Sequence, residues 1–314
     1  MGGAIAGTAI LKNLTPSRSL KTITLTLNNS CNFSCPHCYL QYNKRSFLIK
    51  KKTLDSVFNS EFNHLAIVGK EPLVSNSSIS LLEKIVEKCI INDKTVSIVT
   101  NGSGLNYLPT NIINQLAYID VSFDGGIDSY NKFRRGSFME IIAAINMIQN
   151  QYDVTFNALH TITSENINHI DDMVSIRELA RFQTIMLSSF LATEHYGVNN
   201  VSTISLVDLL LKLASSNSFM NSVEALLLLD IYHVQQDNVP IRTIKELIIK
   251  NKLQSKVALI EDDPIKHGIV RVTYDDYVLN PNESLHPRVY KDSKYLASKV
   301  NINSAFEELY NAYV

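Results

Sequence analysis

The stretch TITLTLNNSCNFSCPHCY, Thr22 to Tyr39, decides how the chain is read. Its first six residues alternate threonine with isoleucine or leucine, the period of a β-strand. Directly behind them come Cys31, Cys35 and Cys38, three of the chain's four cysteines; the fourth, Cys89, lies far along it. Three thiols on one loop are odd in number for a disulfide framework and one short of a closed zinc site. Thiolates are soft ligands that suit an iron–sulfur cluster or zinc. A four-iron cluster normally takes four cysteines. With three, one iron keeps an open position for a small molecule. The alternative is zinc closed by His37 or Cys89. His37 would have to fold back between two ligands, and Cys89 falls on a helix expected outside the sheet.

The strand-then-loop unit repeats along the chain. HLAIVG (His64 to Gly69), TVSIVTNG (Thr95 to Gly102), YIDVSFDG (Tyr118 to Gly125), DVTFNALH (Asp153 to His160) and QTIMLSS (Gln183 to Ser189) read as strands. Between them, runs such as ISLLEKIVEKCI (Ile79 to Ile90) and SFMEIIAAINMIQN (Ser137 to Asn150) carry apolar residues at helical spacing. Alternating strands and helices predict a parallel sheet. Six units are too few for a closed eight-stranded barrel, so the expected fold is a partial (β/α)6 TIM-like barrel. In such folds active sites gather at the carboxyl ends of the strands. The cysteine loop, GKEP (Gly69 to Pro72), TNG (Thr100 to Gly102), SFDG (Ser122 to Gly125), His160 and Ser188 all fall at those ends.

After Gly197 the rhythm changes. Helices are expected over Ser205 to Ser216, Ser222 to Gln235 and Thr243 to Leu253, then a hairpin in GIVRVTYDDYVLNPN and a last helix near Ser304 to Ala312. The expected organisation is an amino-terminal segment 1–21, a core 22–197 and a mainly helical, substrate-binding extension 198–314. The length of 314 residues allows a sizeable core. Hydrophobic residues make up 45% and charged residues 19%, as in globular proteins, and the net charge of −1 gives no basic excess for nucleic acid or a membrane surface. KRSFLIKKK, Lys44 to Lys52, reads as a solvated loop or a docking patch for an acidic peptide. No long apolar run suggests a transmembrane helix, and the start lacks a basic signal-peptide region. Clustered free thiols point to a reducing, cytoplasmic compartment.

Cys31-x3-Cys35-x2-Cys38, followed by Tyr39, resembles the signature of the radical S-adenosylmethionine (SAM) superfamily. The resemblance runs in order through the first 190 or so residues. It implies one [4Fe–4S] cluster on Cys31, Cys35 and Cys38, with SAM on its open iron and a 5′-deoxyadenosyl radical that takes a hydrogen atom from the substrate. GKEP resembles the family's GGEP segment, with Lys70 in place of the second glycine; Glu71 is then implied to meet the amino group of SAM. TNG and SFDG stand where the family has its third and fourth strand-end segments. This implies cofactor contacts from Asn101, Ser122 and Asp124. His37 takes the aromatic position that packs on adenine. Arg135, or its neighbour Arg134, is implied to pair with the SAM carboxylate, a role that suits a guanidinium fork.

The segment His267 to Tyr290 resembles the hairpin that opens the SPASM extension of peptide-modifying radical SAM enzymes, yet it contains no cysteine. One cluster is therefore expected. The implied family is the maturases of ribosomally made peptides (RiPP maturases), including those that join a side-chain carbon to an aromatic ring in a cyclophane. Cys89 is the only spare thiol, and it sits on an outer helix, which disfavours epimerisation by thiol hydrogen return. Implied partners are a precursor peptide and an electron donor such as flavodoxin or ferredoxin. A leader-binding domain does not fit before Thr22, so leader recognition is expected in the carboxyl-terminal third or in a separate leader-binding protein. The other readings are a peptide epimerase, a radical enzyme of a nucleoside, sugar or other small molecule, and a non-enzymatic iron–sulfur or zinc module.

Overall fold

The computed structural model describes residues 21–38, 48–134, 136–191, 201–260 and 269–272. In chain order the elements are β1 (Thr22–Thr26), α1 (Lys51–Phe58), β2 (His64–Val68), α2 (Asn76–Ile91), β3 (Thr95–Thr100), α3 (Thr110–Ile113), β4 (Tyr118–Ser122), α4 (Tyr130–Phe133), α5 (Phe138–Gln151), β5 (Phe156–Ile162), α6 (Ile170–Ser175) and β6 (Thr184–Ser189). They continue with α7 (Leu206–Ser215), α8 (Asn217–Asn221), β7 (Ala225–Asp230), α9 (Ile231–Asp237), α10 (Ile241–Lys250), β8 (Val257–Ile260) and β9 (Ile269–Val272). The strands form one sheet in the order β8-β7-β6-β5-β4-β3-β2-β1-β9. Every neighbouring pair is parallel. The sheet is an unclosed α/β partial barrel.

The two sheet faces follow from strand parity. Ile23, Leu25, Leu65, Ile67, Val96, Ile98, Ile119 and Val121 join the large core against the helices. The alternate residues turn to the other, inner face. Helix α2 shows how the sequence builds the outer layer. Ser75 caps it by accepting from the Ser78 amide at 3.3 Å. Ser78, Ile79, Leu82, Ile85, Val86 and Cys89 then form its buried stripe at three- and four-residue spacing. Cys89 is fully buried there and behaves as a small hydrophobe, its thiol pushed up to about 12 by burial.

The partial barrel agrees with the sequence reading, but three expectations past Gly197 need correction. The sheet does not stop at six strands, because β7 and β8 extend it beyond β6. ALLLLD, expected inside a helix from Ser222 to Gln235, is strand β7, and only Ile231–Asp237 is helical. Central parallel strands are buried on both faces and lose the apolar–polar alternation, so a continuous apolar run is ambiguous between the two states. The first arm of the expected hairpin, β9, pairs with β1 in parallel rather than opening a hairpin among the described residues. The second arm and the helix near Ser304 lie outside the described residues. So do the first four residues of the Lys44 to Lys52 run and Arg135; within that run, exposed Lys51 pairs with Asp55 at 2.7 Å.

Candidate active site

The carboxyl ends of β1 to β4 meet around the cysteine loop. Leu27 continues β1 by donating its amide to the Val68 carbonyl at 2.8 Å, and Asn28 then turns the chain. The Asn28 side-chain Nδ2 donates to the Glu71 backbone carbonyl at 2.9 Å and to Ser78 Oγ at 2.7 Å, tying β1 to the GKEP loop. Gly69 lies so close to Asn28 that a Cβ would stand 3.0 Å from the Asn28 carbonyl oxygen. That close approach is the physical demand for glycine at this position.

Glu71 is fully buried. Its Oε1 accepts from the Leu73 amide at 2.9 Å and Thr100 Oγ1 at 2.6 Å, and its Oε2 from the Asn101 amide at 2.6 Å. Burial raises its pKa, against these hydrogen bonds. Asn101 passes the link to the cysteine loop. Its side-chain Nδ2 donates to Asn32 Oδ1 at 3.0 Å and points to Cys31 Sγ at 3.6 Å. Both residues are thus spent on bracing the loop from the β2–β3 side.

A second brace holds the other side. Asp124 Oδ2 receives Arg134 Nε and a terminal guanidinium nitrogen, each at 2.6 Å, and lies 2.8 Å from His37 Nε2. Its Oδ1 accepts the Thr161 amide at 2.7 Å. Burial works to raise the Asp124 carboxyl, but Arg134 and His37 outweigh it and hold it well below the usual carboxylate range. Asp124 sits at φ 56°, and the turn continues through Gly125 and Gly126. A Cβ on Gly126 would overlap the Asp172 carbonyl oxygen at 2.0 Å. Asp172, on α6, accepts the amides of Gly126, Asp128 and Ser129 and the Ser129 hydroxyl, fixing the turn.

Of the expected cofactor residues, Ser122 stands half-buried at the tip of β4. The side chains of His37, Glu71, Asn101 and Asp124 meet at the rim but are engaged with each other and with the loop. Arg134, beside the undescribed Arg135, reaches Asp124. His160, read as a rim residue, points instead to the outer layer, 1% exposed and stacked on Phe123 at 6.1 Å. Thr100, Thr161, Asn28 and Asn32 were not singled out from the sequence; only their position at strand ends could have marked them.

The donor set fits an iron–sulfur cluster. Burial raises the pKa of Cys31, and pushes Cys35 up to about 11 although Arg134 works to lower it. The Phe33 amide donates to Cys31 Sγ at 3.3 Å, a bond that favours thiolate. Cationic iron would replace protons that burial otherwise keeps on these sulfurs. Zinc closed by the other candidates has no geometric support, since Cys89 lies in the core and His37 is turned to Asp124. Among the described residues no three His, Cys, Asp or Glu side chains could hold a single metal ion. A cubane binds its thiolates at separate irons and does not require them to converge on one point.

Residues 25–176 match the model of the Radical SAM superfamily. The matched stretch, just under half of the chain, takes in the cysteine loop, GKEP, TNG and SFDG. Radical SAM enzymes carry a [4Fe–4S] cluster and bind SAM. The chain is 26% identical over 170 residues to the antilisterial bacteriocin subtilosin biosynthesis protein AlbA of Bacillus subtilis (strain 168). That match covers 50% of this chain and 36% of AlbA, so the chain matches about a third of that relative's length. In fold it is similar to Streptococcus suis SuiB bound to the precursor peptide SuiA, with a TM-score of 0.58 at 11% identity, over 96% of this chain and 67% of SuiB. It is also similar to anSMEcpe with bound AdoMet and a peptide, with a TM-score of 0.56 at 19% identity, over 91% and 82% of the two chains. Among the described residues no helix is long and apolar enough to cross a membrane.

Proposed function

We propose that this chain is a radical SAM enzyme that modifies a ribosomally made peptide, most plainly by an oxidative crosslink from a side-chain carbon to an aromatic ring. The observation that carries the radical chemistry is the three-thiol loop braced on both sides at the carboxyl rim of a parallel partial barrel. Cys31, Cys35 and Cys38 would hold the cluster. Ser122 is the half-exposed rim hydroxyl available to SAM, while Glu71, Asn101, Asp124, His37 and Arg134 position the loop and the strand ends. Arg135 remains a candidate for the SAM carboxylate. When bound, the cluster and SAM supply a carbon radical able to take a hydrogen atom from the substrate.

Support for a peptide comes from the similarity to AlbA and from folds solved with peptides bound. Support for net oxidation comes from Cys89. All four cysteines are described, and the only one off the loop is sealed between α2 and the sheet, away from the inner face. No thiol is placed to return a hydrogen atom. Forming the crosslink removes two hydrogens from the peptide, one as an atom to the deoxyadenosyl group and one as a proton. The remaining electron passes to an acceptor, for which the electron carrier, flavodoxin- or ferredoxin-like, serves.

The test is anaerobic reconstitution with dithionite, SAM and candidate short precursor peptides. The expected product is lighter by two hydrogens, with 5′-deoxyadenosine formed alongside it. A product of unchanged mass carrying one deuterium from heavy water would establish epimerisation instead. Turnover of a small metabolite with every peptide inert would move the enzyme to that other substrate class.

A further inference from the structure

The inner face of the sheet is layered, and one layer is incomplete. At the amino ends of the strands a polar plug is closed by its own bonds. His64 meets Thr95 Oγ1 at 2.8 Å, Ser97 Oγ at 2.9 Å and Tyr118 OH at 3.1 Å. Burial pushes this imidazole down to about 4. One step above Tyr118 on the same face stands Asp120, in register with Asn157. Asn157 Nδ2 donates to Asp120 Oδ1 at 2.9 Å. Asp120 Oδ2 and Asn157 Oδ1 have no partner, although Asp120 is 0% and Asn157 3% exposed. Thr24 Oγ1, on the same face in β1, is also bare.

Above this pair the lining becomes apolar. Leu159, Met186, Leu228 and Ile260 cluster there, and Val99, Leu226 and Ala258 beside them are partly open. Ser122, in register with Leu159, tops the stack at the rim. Asp120 is two residues below Ser122, so it lies about 6–7 Å deeper along the strand. Buried polar atoms are nearly always bonded, and a bare carboxylate oxygen beside a bare amide oxygen demands a donor.

We propose that Asp120 and Asn157 are the floor of the substrate pocket and bind the ammonium or guanidinium tip of a peptide side chain whose aliphatic stem lies along Leu159, Met186 and Leu228. A cation met by two acceptors beneath an apolar layer matches a long basic side chain and no acidic or short one. The depth below the rim is about the reach of a four-carbon stem. Burial raises the pKa of the empty carboxyl well above its ordinary value, against the hydrogen bond from Asn157. The arriving cation supplies the charge that makes ionisation favourable. This rests on the radical SAM reading of the rim, which makes the inner face the substrate side.

Blocked tripeptides acetyl-Gly-X-Gly-amide serve as probes, with X lysine, arginine, norleucine or glutamine, titrated into the anaerobically reconstituted protein with SAM. The wild type is expected to bind the lysine or arginine probe at least tenfold tighter than norleucine. Asp120→Asn, which keeps the shape, should bring that preference below twofold and leave norleucine binding unchanged. Asn157→Asp should enlarge the preference, and decides the case if the first variant does not fold. Equal affinity for lysine and norleucine, no binding of any probe, or a preference that survives Asp120→Asn overturns the proposal. Formation of 5′-deoxyadenosine by the same wild-type sample reads the radical SAM assignment separately. Its failure with the basic preference intact would discard that assignment and keep the cation site.

Discussion

Replacing Asp124 by asparagine isolates the charge that holds the cysteine loop to β4. The position has φ 56°, which asparagine tolerates better than most residues, so backbone strain does not confound the change. What changes is the acceptor set. Asp124 takes two guanidinium contacts at 2.6 Å, His37 at 2.8 Å and the Thr161 amide at 2.7 Å. The substituted amide keeps one acceptor oxygen and turns an NH2 donor toward Arg134, whose side chain is only 11% exposed. Removing one partner of a buried ion pair costs about 3–5 kcal/mol, because the other charge stays buried and uncompensated. At about 2 °C per kcal/mol for a domain of this size, Tm should fall by roughly 6–10 °C. Anaerobic calorimetry of the reconstituted protein measures this. The pH dependence adds a signed check. Asp124 has a folded pKa below its unfolded value near 3.8, so its contribution is complete above that value and is lost as the pH falls through it toward the depressed folded value. Asp124→Asn should therefore flatten the acid limb of the stability curve. The double variant Asp124→Asn with Arg134→Met should recover part of the loss. A single-variant cost below about 1 kcal/mol, or a double variant no more stable than the single, would refute the brace.

Glu71→Gln should cost about 1–3 kcal/mol, because its amide NH2 must face one of the three donors now satisfied by the carboxylate. Cluster reconstitution, followed by iron content against time, should slow because the Asn101 link to Cys31 loosens; an unchanged rate and Tm would remove Glu71 from the bracing role. Cys89→Ala should cost about 1 kcal/mol and leave turnover near normal. Loss of modified peptide with retained 5′-deoxyadenosine formation would instead make Cys89 a hydrogen donor.

The sequence by itself determined the elements whose signals are local. Thr22 to Leu27 alternates because β1 keeps one face on the helices, and α2 and α5 carry helical periods because only one stripe of each is buried. The cysteine spacing is local too, since one loop supplies all three thiols. Tertiary structure alone decided β7, where ALLLLD lost its period by being covered on both faces. It also decided the partners. Glu71, Asn101 and Asn32 lie 30 or more residues apart where they span β2, β3 and the loop, and no pattern in one strand announces which carboxylate oxygen will face which amide. Asp120 shows the limit most clearly. In YIDVSFDG it is one polar residue among alternating ones. Its bare oxygen exists only because β5 brings Asn157 beside it while leaving the second lone position empty, a consequence of register between strands that the order of residues along one strand does not contain.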